Sequence, residues 1–352
     1  MKRLRCFIVV ILAMLSISSC ASQIDIGIIT TIDDSVIVTD IKTDGNTSTD
    51  IPVQDVIVTV NEDEPSVTDG TAVTTETEET ASTEVTEMIP VPEEPDPSVF
   101  SQLETLLTNP PSAGAKISFC YEDLTTGISY FYNGDTVMWN ASIMKLPIAM
   151  SILYNAETQD VGLEDVYVYS ENDYREGTGE IIHKPVGTSY TYIELVDYML
   201  RYSDNVALDQ VRRKYGQYYH HDYVNSIGAN GFSVGSGWSA TAKDCSLLLR
   251  STYEYLEGDF LYSERIKDDM INSFHQVMLS PGLSGKPIAR KYGWDTEGYN
   301  DIGIVYDEHP YMLVFMSDMT NGGATVNSYI SEIARTADSI HENLWQTVEA
   351  DD

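Results

Sequence analysis

The chain has 352 residues and is strongly acidic: 55 aspartate and glutamate residues outnumber 20 lysine and arginine residues, for a formal net charge of −35 at pH 7. A surface of this charge repels nucleic acids and anionic lipids, so we expect neither as a binding partner. The length is enough for one substantial domain with flanking segments.

The N-terminus has the pattern of an export signal. Three basic residues lie within positions 1–5, a short apolar run follows at 6–17, and two serines precede Cys20. This order is typical of a secretory signal peptide, and the apolar run is too short to span a membrane comfortably. Residues 17–20 also resemble a bacterial lipobox, in which the cysteine becomes lipidated. We therefore expect an extracytoplasmic protein whose only membrane contact is a lipid on Cys20, with a secreted form as the alternative.

Residues 21–98 have a different composition from the rest of the chain. They are rich in acidic residues and threonine, contain a single basic residue, Lys42, and contain no aromatic residue. Such a segment cannot bury enough apolar surface to fold, which predicts a disordered acidic linker stretched by like-charge repulsion. The β-prone runs at 34–38 and 56–60 offer a small hairpin as an alternative, which is less favoured because an isolated hairpin is marginal in water.

Residues 99–352 carry the periodicities of one α+β domain. The predicted elements, in chain order, are a helix at 99–107, strands at 116–121 and 128–132, helices at 142–154, 191–202 and 206–215, a helix that begins with a capping box at Thr241, strands at 301–306 and 311–317, and a helix at 324–344. Strands near both ends with helices between them predict an antiparallel sheet and an inserted all-helical region.

Three short motifs occur in a fixed order. They are Ser-Ile-Met-Lys at 142–145, Ser-Asp-Asn at 203–205 and Lys-Tyr-Gly at 291–293. Ser-x-x-Lys, Ser-Asp-Asn and Lys-Thr-Gly form the signature of class A β-lactamases and penicillin-binding proteins. Lys-Tyr-Gly also occurs at 214–216, but there it closes a helical run, whereas the second copy is followed by a strand-like segment. We therefore assign the second copy to the site.

The domain at 99–352 resembles the class A β-lactamase and penicillin-recognising serine hydrolase family. The resemblance implies a five-stranded antiparallel sheet flanked by the terminal helices, plus an all-helical subdomain, with the active site where the two meet. It implies no cofactor and no metal. We expect a monomer that acts on β-lactams or on D-Ala-D-Ala amides of peptidoglycan stem peptides.

The motifs supply three candidate catalytic residues. Ser142, near a helix N-terminus, is the candidate nucleophile because the helix dipole favours a developing oxyanion. Lys145, buried among apolar neighbours, should have a lowered pKa and act as its base. Ser203 is expected to pass a proton to the leaving nitrogen, while Asp204 is expected to hold its own loop.

Further residues are expected to bind the substrate. The resemblance implies that Asn205 binds an amide side chain and that Lys291 attracts a carboxylate. The backbone N–H of Trp294, after Gly293, is the expected second oxyanion donor. Tyr292 replaces the small hydroxyl residue of the family, and we expect its ring to narrow the cleft.

One element of the class A pattern is absent. Those enzymes carry a deacylating glutamate after Ser-Asp-Asn, and this chain has no glutamate between Asn205 and Thr241. We therefore expect slow deacylation, with a penicillin-binding or wall-sensing module that does not turn over as the alternative. Cys120 and Cys245 are expected to be buried free thiols rather than a disulfide. The histidine pair at 220–221 is expected at the surface, since no further ligand stands at metal-binding spacing.

Overall fold

The computed structural model describes residues 23–32, 35–44, 91–92, 94–235, 237–320 and 322–349. These belong to two compact units, residues 1–83 and residues 84–352. In the first unit, strand β1 (Gln23–Ile32) pairs with strand β2 (Ser35–Asp44) in antiparallel fashion. Most of the first β-prone run, 34–38, lies in β2, but its partner is β1 and not the second run at 56–60, which lies outside the described residues. Cys20, the signal segment and most of the acidic linker lie outside the described residues, so the domain limits remain predictions.

The second unit contains the remaining elements. In chain order they are α1 (Ser101–Thr108), β3 (Ile117–Asp123), β4 (Ser129–Tyr132), β5 (Met138–Trp139), α2 (Lys145–Ala156), β6 (Val166–Val168), β7 (Ser189–Thr191), α3 (Tyr192–Arg201), α4 (Asn205–Tyr215), α5 (His221–Ser226), β8 (Ser239–Ala240), α6 (Ala242–Glu257), α7 (Ser263–Ile271), β9 (Ile288–Trp294), β10 (Tyr299–Val305), β11 (Tyr311–Ser317) and α8 (Ala324–Glu349). Every helix and strand predicted from the sequence is present, with its ends shifted by a few residues.

The central sheet has the strand order β4-β3-β11-β10-β9, and every neighbouring pair is antiparallel. This confirms the expected five-stranded antiparallel sheet. Two short strand pairs, β5 with β8 and β6 with β7, lie outside it. Strand β9 is an edge strand, so one of its edges has no partner strand within the sheet.

Both faces of the sheet are covered. Phe119 and Phe315 face a core shared with α1 and α8, whereas Cys120 and Val314 face a second core shared with α2, α3 and α6. Successive side chains of a strand point to opposite faces, so a strand covered on both sides is apolar throughout. Strands β3 and β11 are accordingly buried along their whole length.

Capping residues set the starts of the helices around the site. Thr191 and Thr241 each form a capping box, with Glu194 at the start of α3 and with Asp244 at the start of α6. The Thr241 box confirms the helix start predicted from the sequence. Among the described residues, no helix combines the length and the apolar character that crossing a membrane requires.

Candidate active site

Ser142 lies in a tight turn between the central sheet and the helical region. Residues Ala141–Met144 form a 3-10 turn that leads into α2, so the α-helix begins at Lys145 and not at Ser142 as predicted. Ala141 has φ of +47°, a left-handed conformation that costs energy for any residue with a side chain and that clusters at functional sites. The preceding Asn140 fixes the turn: its backbone N–H donates to the Trp238 carbonyl at 2.9 Å.

Lys145 is fully buried and connects the motifs. Its Nζ lies 3.1 Å from Ser142 Oγ and 3.1 Å from Ser203 Oγ. It also donates to Asn205 Oδ1 at 2.8 Å and to the backbone carbonyl of Ser203. Burial lowers the pKa of the Lys145 ammonium from 10.5 to about 7, with Asp204 opposing the shift. A substantial fraction of this lysine is therefore a neutral amine near pH 7, as a general base requires.

Ser203 is held in a strained conformation at the end of the loop after α3. Its φ is +54°, again left-handed. Thr178 Oγ1 donates to the Ser203 carbonyl at 2.7 Å, and the Thr178 carbonyl accepts the Asn205 N–H at 3.0 Å. The neighbouring loop therefore fixes both ends of the Ser-Asp-Asn motif, which is how the surrounding structure can sustain the strain.

Asp204 stabilises the loop, as expected from the sequence. Its carboxylate accepts backbone N–H groups from Glu180 at 2.7 Å, Ile181 at 2.9 Å and Ala207 at 2.9 Å. The last of these bonds caps the N-terminus of α4. A fully buried carboxylate with three backbone donors joins the 180–181 turn to the motif loop and so positions Ser203 and Asn205.

Lys291 contacts the Ser203 hydroxyl, as Lys145 does. Its Nζ donates to Ser203 Oγ at 3.1 Å and to the Tyr292 carbonyl at 2.7 Å, and its side chain is fully buried. Burial lowers the pKa of Lys291 well below its ordinary value, and Lys145 and Arg290 lower it further. Lys214, from the other Lys-Tyr-Gly, instead pairs with Asp165 and lies 4.3 Å from the Tyr192 ring centroid.

Gly293 lies directly against the nucleophile turn. A Cβ at this position would lie 2.8 Å from the backbone nitrogens of both Ser142 and Ile143, and 2.6 Å from the Asn140 carbonyl oxygen. Such approaches are shorter than real Cβ contacts, so only glycine fits here without displacement. The edge strand β9 thus brings its backbone at Gly293 directly against the turn that carries Ser142.

Tyr292 is more enclosed than the sequence suggests. The side chain is 1% exposed, and burial raises the pKa of its hydroxyl. Its ring centroid lies 4.3 Å from Lys291 Nζ, 5.2 Å from the His275 ring and 5.3 Å from the Trp294 ring. The ring therefore packs in an aromatic cluster around the lysine rather than projecting as an open rim of the cleft.

The histidine pair differs from the expectation. His220 is fully buried, its Nε2 lies 3.1 Å from the Phe232 carbonyl, and burial lowers its pKa to about 4. It packs beside the 232–238 loop because Gly237 leaves room there: a Cβ on Gly237 would lie 3.0 Å from His220 Nε2. The prediction that this residue lies at the surface was therefore wrong.

Two cysteines and one cluster of acidic side chains lie outside the candidate site. Cys120 and Cys245 are buried free thiols. Asp307, Asp338 and Glu342 form the one group among the described residues whose oxygens are close enough to share a cation. The ammonium of Lys286 already lies within 2.8 Å of an oxygen of each.

Sequence patterns missed several residues at the site. The Gly-Thr-Gly segment at 177–179 was placed at the cleft edge by the family resemblance, but no role was predicted for Thr178. Gly177 has φ of +105°, and a Cβ there would lie 2.6 Å from Asn205 Nδ2. Trp238, which contacts the residues before Ser142, and Arg212, which contacts Trp238, belong to no motif. Only their contacts in the fold reveal them.

Several solved structures share the fold of this chain. PBP-A has a similar structure, with a TM-score of 0.63 and 20% identity over 72% of this chain and 99% of that chain. A mutant of PBP-A, solved as an acyl-enzyme complex with penicillin G, has a TM-score of 0.62 and 20% identity, over 72% of this chain and 99% of that chain. A β-lactamase from Sphaerobacter thermophilus has a TM-score of 0.62 and 18% identity, over 69% of this chain and 98% of that chain. At these identities the likeness concerns the fold alone.

Sequence comparison supplies the family itself. No curated protein is significantly similar to the chain. A sequence model of the β-lactamase enzyme family matches residues 98–344, most of the chain and nearly all of its second unit. The protein therefore belongs to the β-lactamase enzyme family.

Proposed function

We propose that the protein is an active-site-serine hydrolase that forms a covalent acyl-enzyme at Ser142 with β-lactams and with D-Ala-D-Ala amides. The observation that carries the proposal is the continuous path of polar groups from Ser142 Oγ through Lys145 Nζ to Ser203 Oγ, with 3.1 Å between successive atoms. A solely structural site has no need of a buried lysine with a lowered pKa beside a serine at a turn.

The proposed acylation moves one proton along this path. Neutral Lys145 takes the proton of the Ser142 hydroxyl while Oγ attacks the substrate carbonyl carbon, and the backbone N–H groups of Ser142 and Trp294 stabilise the oxyanion. The C–N bond then breaks, and Ser203 delivers a proton to the leaving nitrogen as it receives one from Lys145. The product is an ester at Ser142; an acyclic amide releases its amine, whereas the amine of an opened β-lactam stays attached to the acyl group.

Lys291 and Asn205 are the proposed substrate-binding side chains. A substrate carboxylate beside Lys291 would favour the charged form of this lysine, which burial alone disfavours. Asn205 Oδ1 already accepts from Lys145, and its Nδ2 donates to the Glu176 carbonyl at 3.0 Å, so this amide is oriented in advance. Orientation of this kind reduces the entropy lost on binding.

We propose that deacylation is slow. The chain has no glutamate between Asn205 and Thr241, and the acid on α4 nearest in sequence, Asp209, forms an ion pair with Arg175. This carboxylate already binds a guanidinium and is therefore not a free acceptor for the proton of an attacking water. The missing glutamate also supports the second candidate, a penicillin-binding or wall-sensing module that is acylated without turnover.

Labelling with a fluorescent penicillin tests the proposal. The wild-type chain should form a covalent adduct, and Ser142→Ala should form none. Ser280→Ala, which changes a serine in another loop, is the matched control and should label like the wild type. Equal labelling of Ser142→Ala, or no labelling of the folded wild type, would contradict the proposal.

We also propose that the mature protein is a lipoprotein outside the cytoplasmic membrane, held by Cys20 and the acidic linker at 21–98. The support is the sequence pattern alone: a basic start, a short apolar run and small residues before the cysteine. A monomeric catalytic domain on such a linker could reach wall peptides at a distance from the membrane surface.

A further inference from the structure

Arg212 stands apart from the other arginines of the described residues. Seven of those eight arginines pair with a carboxylate within 4 Å, and Arg212 alone does not. The contrast is informative in a chain with a net charge of −35, where carboxylates are abundant. Asp209 acts on Arg212 electrostatically, but this carboxylate forms its ion pair with Arg175. A partly buried guanidinium without a carboxylate in contact is costly, and such costs persist mainly at functional sites.

The N–H groups of Arg212 lack acceptors. Its Nε and Nη2 are buried and have no hydrogen-bond partner among the described residues. The guanidinium carbon lies 5.1 Å from the centroid of the Trp238 ring. Stacking of this kind engages the face of the guanidinium, and the Nη1 group, which is not among the buried atoms, is left to donate to an acceptor such as a carboxylate.

Arg212 belongs to the face of α4 that begins at the active site. Asn205, Asp209 and Arg212 are spaced i, i+4 and i+7, so they lie along one side of the helix. Asn205 is the first residue on this side, and its Oδ1 accepts a hydrogen bond from Lys145. The charge of Arg212 contributes to the lowered pKa of that lysine. Asp209, the carboxylate in between, pairs with Arg175.

Trp238 connects Arg212 to the nucleophile turn. The Trp238 carbonyl accepts the N–H of Asn140, two residues before Ser142. The Trp238 ring stacks on Trp139 with centroids 5.6 Å apart. Arg212 is partly exposed, so part of its side chain remains accessible to a ligand.

We propose that Arg212, backed by the Trp139–Trp238 stack, binds a carboxylate carried by the acyl part of the substrate. The substrate class is then an amide or β-lactam with two carboxylates: one at Lys291 on the leaving-group side, and a second at Arg212 on the side of Asn205. This inference rests on the proposed acyl transfer at Ser142, since it assigns the two ends of that substrate.

Two penicillins that differ by a single carboxylate test the inference. Benzylpenicillin has a neutral side chain, and carbenicillin carries one additional carboxylate on it. Second-order acylation rate constants are measured for both by intact mass, at fixed ionic strength, on the full chain. The variants are Arg212→Met, Arg212→Lys, and Arg213→Met, which removes the same charge from the adjacent position as a control.

We expect Arg212→Met to slow acylation by carbenicillin about tenfold or more, since a charge-assisted hydrogen bond is worth that much. Acylation by benzylpenicillin should slow by less than about threefold, a change that reports the loss of the Arg212 charge near Lys145. Arg212→Lys should retain part of the carbenicillin rate, because it keeps the charge without the planar fork. Arg213→Met should leave the ratio of the two rates unchanged.

Other results would overturn the inference. Equal slowing with both penicillins would make Arg212 a general structural residue, and no change with either would remove it from the site. If the folded wild type is acylated by neither compound, the proposed function fails first and the inference fails with it.

The unmodified chain provides a second measurement if the Arg212 variants do not fold. Salt screens ion pairs. The ratio of the carbenicillin rate to the benzylpenicillin rate should therefore fall as salt rises. A ratio that stays constant or rises would mean that carbenicillin experiences only repulsion from the acidic surface, which overturns the assignment.

Discussion

Lys145 and Lys291 converge on one hydroxyl: each ammonium nitrogen lies 3.1 Å from Ser203 Oγ. Both side chains are fully buried, and the charge of Lys145 adds to burial in lowering the pKa of Lys291. Two buried cations at one acceptor repel each other, so an anion at Lys291 would stabilise a charged Lys291 beside a neutral Lys145. In the proposed reaction, substrate binding at Lys291 and activation of Lys145 as the base are thereby linked.

The pH dependence of acylation follows from Lys145. Its pKa is lowered to about 7, so the side chain is a protonated ammonium below that pH and a neutral amine above it. The acylation rate constant should rise with pH and have its midpoint near 7. Lys145→Arg, which stays protonated, should acylate at least about 100-fold more slowly and show no such midpoint. A wild-type rate that falls as pH rises through 7 would contradict this assignment.

The two Lys-Tyr-Gly motifs predict opposite results. Lys291→Ala removes the cation that contacts Ser203 and should lower the acylation rate constant about tenfold or more. Lys214→Ala removes an ion pair with Asp165 and should leave the rate within about threefold of wild type. Both variants are measured with benzylpenicillin under the same conditions. The reverse ranking would place the first motif in the site.

The acyl-enzyme should be long-lived. General-base assistance is typically worth about two to four orders of magnitude, so without the usual glutamate the adduct at Ser142 should persist for minutes or longer. Intact mass after a brief exposure to penicillin measures its decay. Asp209→Asn should not change the decay rate, because this carboxylate is engaged by Arg175. Clearance within seconds that depends on Asp209 would identify this residue as the base.

Asp204 should matter for stability and positioning. Asp204→Ala leaves three backbone N–H groups without their acceptor and should lower the free energy of unfolding by about 3 kcal/mol. Acylation should also slow, because the loop that holds Ser203 loses its anchor. Thr241→Ala is the control: it removes a helix cap and should cost about 1 kcal/mol with unchanged acylation. Urea unfolding and penicillin labelling provide the two measurements. Equal stability losses in the two variants would argue against the anchoring role.

The membrane anchor is tested by fractionation. Cys20→Ala should release the protein from membranes, since a lipid on this cysteine is its only expected membrane contact. Limited proteolysis should cut within 21–98 and leave the catalytic domain intact. Membrane retention of the variant would contradict the lipid anchor, and a protease-resistant N-terminal fragment would contradict the disordered linker.

The predictable parts of this protein are those set by local chemistry. The capping box at Thr241 and the apolar strands can be recognised from residue spacing, and Ser142 and Lys145 are only three residues apart in sequence. The left-handed Ala141, the burial of His220 and the enclosure of Tyr292 could not be predicted, because each depends on contacts between distant segments. The stacking of Arg212 on Trp238 is of the same kind, since it joins a helix to a loop more than twenty residues later.

The absence of a side chain at Gly293 sets the distance between strand β9 and the turn that carries Ser142. With no side chain between them, the edge strand and the serine turn touch backbone to backbone, and their separation cannot be adjusted by a rotamer. An alanine at this position would act as a wedge, moving the two oxyanion donors apart while leaving every catalytic side chain in place. A protein altered in this way would keep its full set of motifs and its fold and would still be a poor acyl acceptor, which a search for motifs alone would not detect.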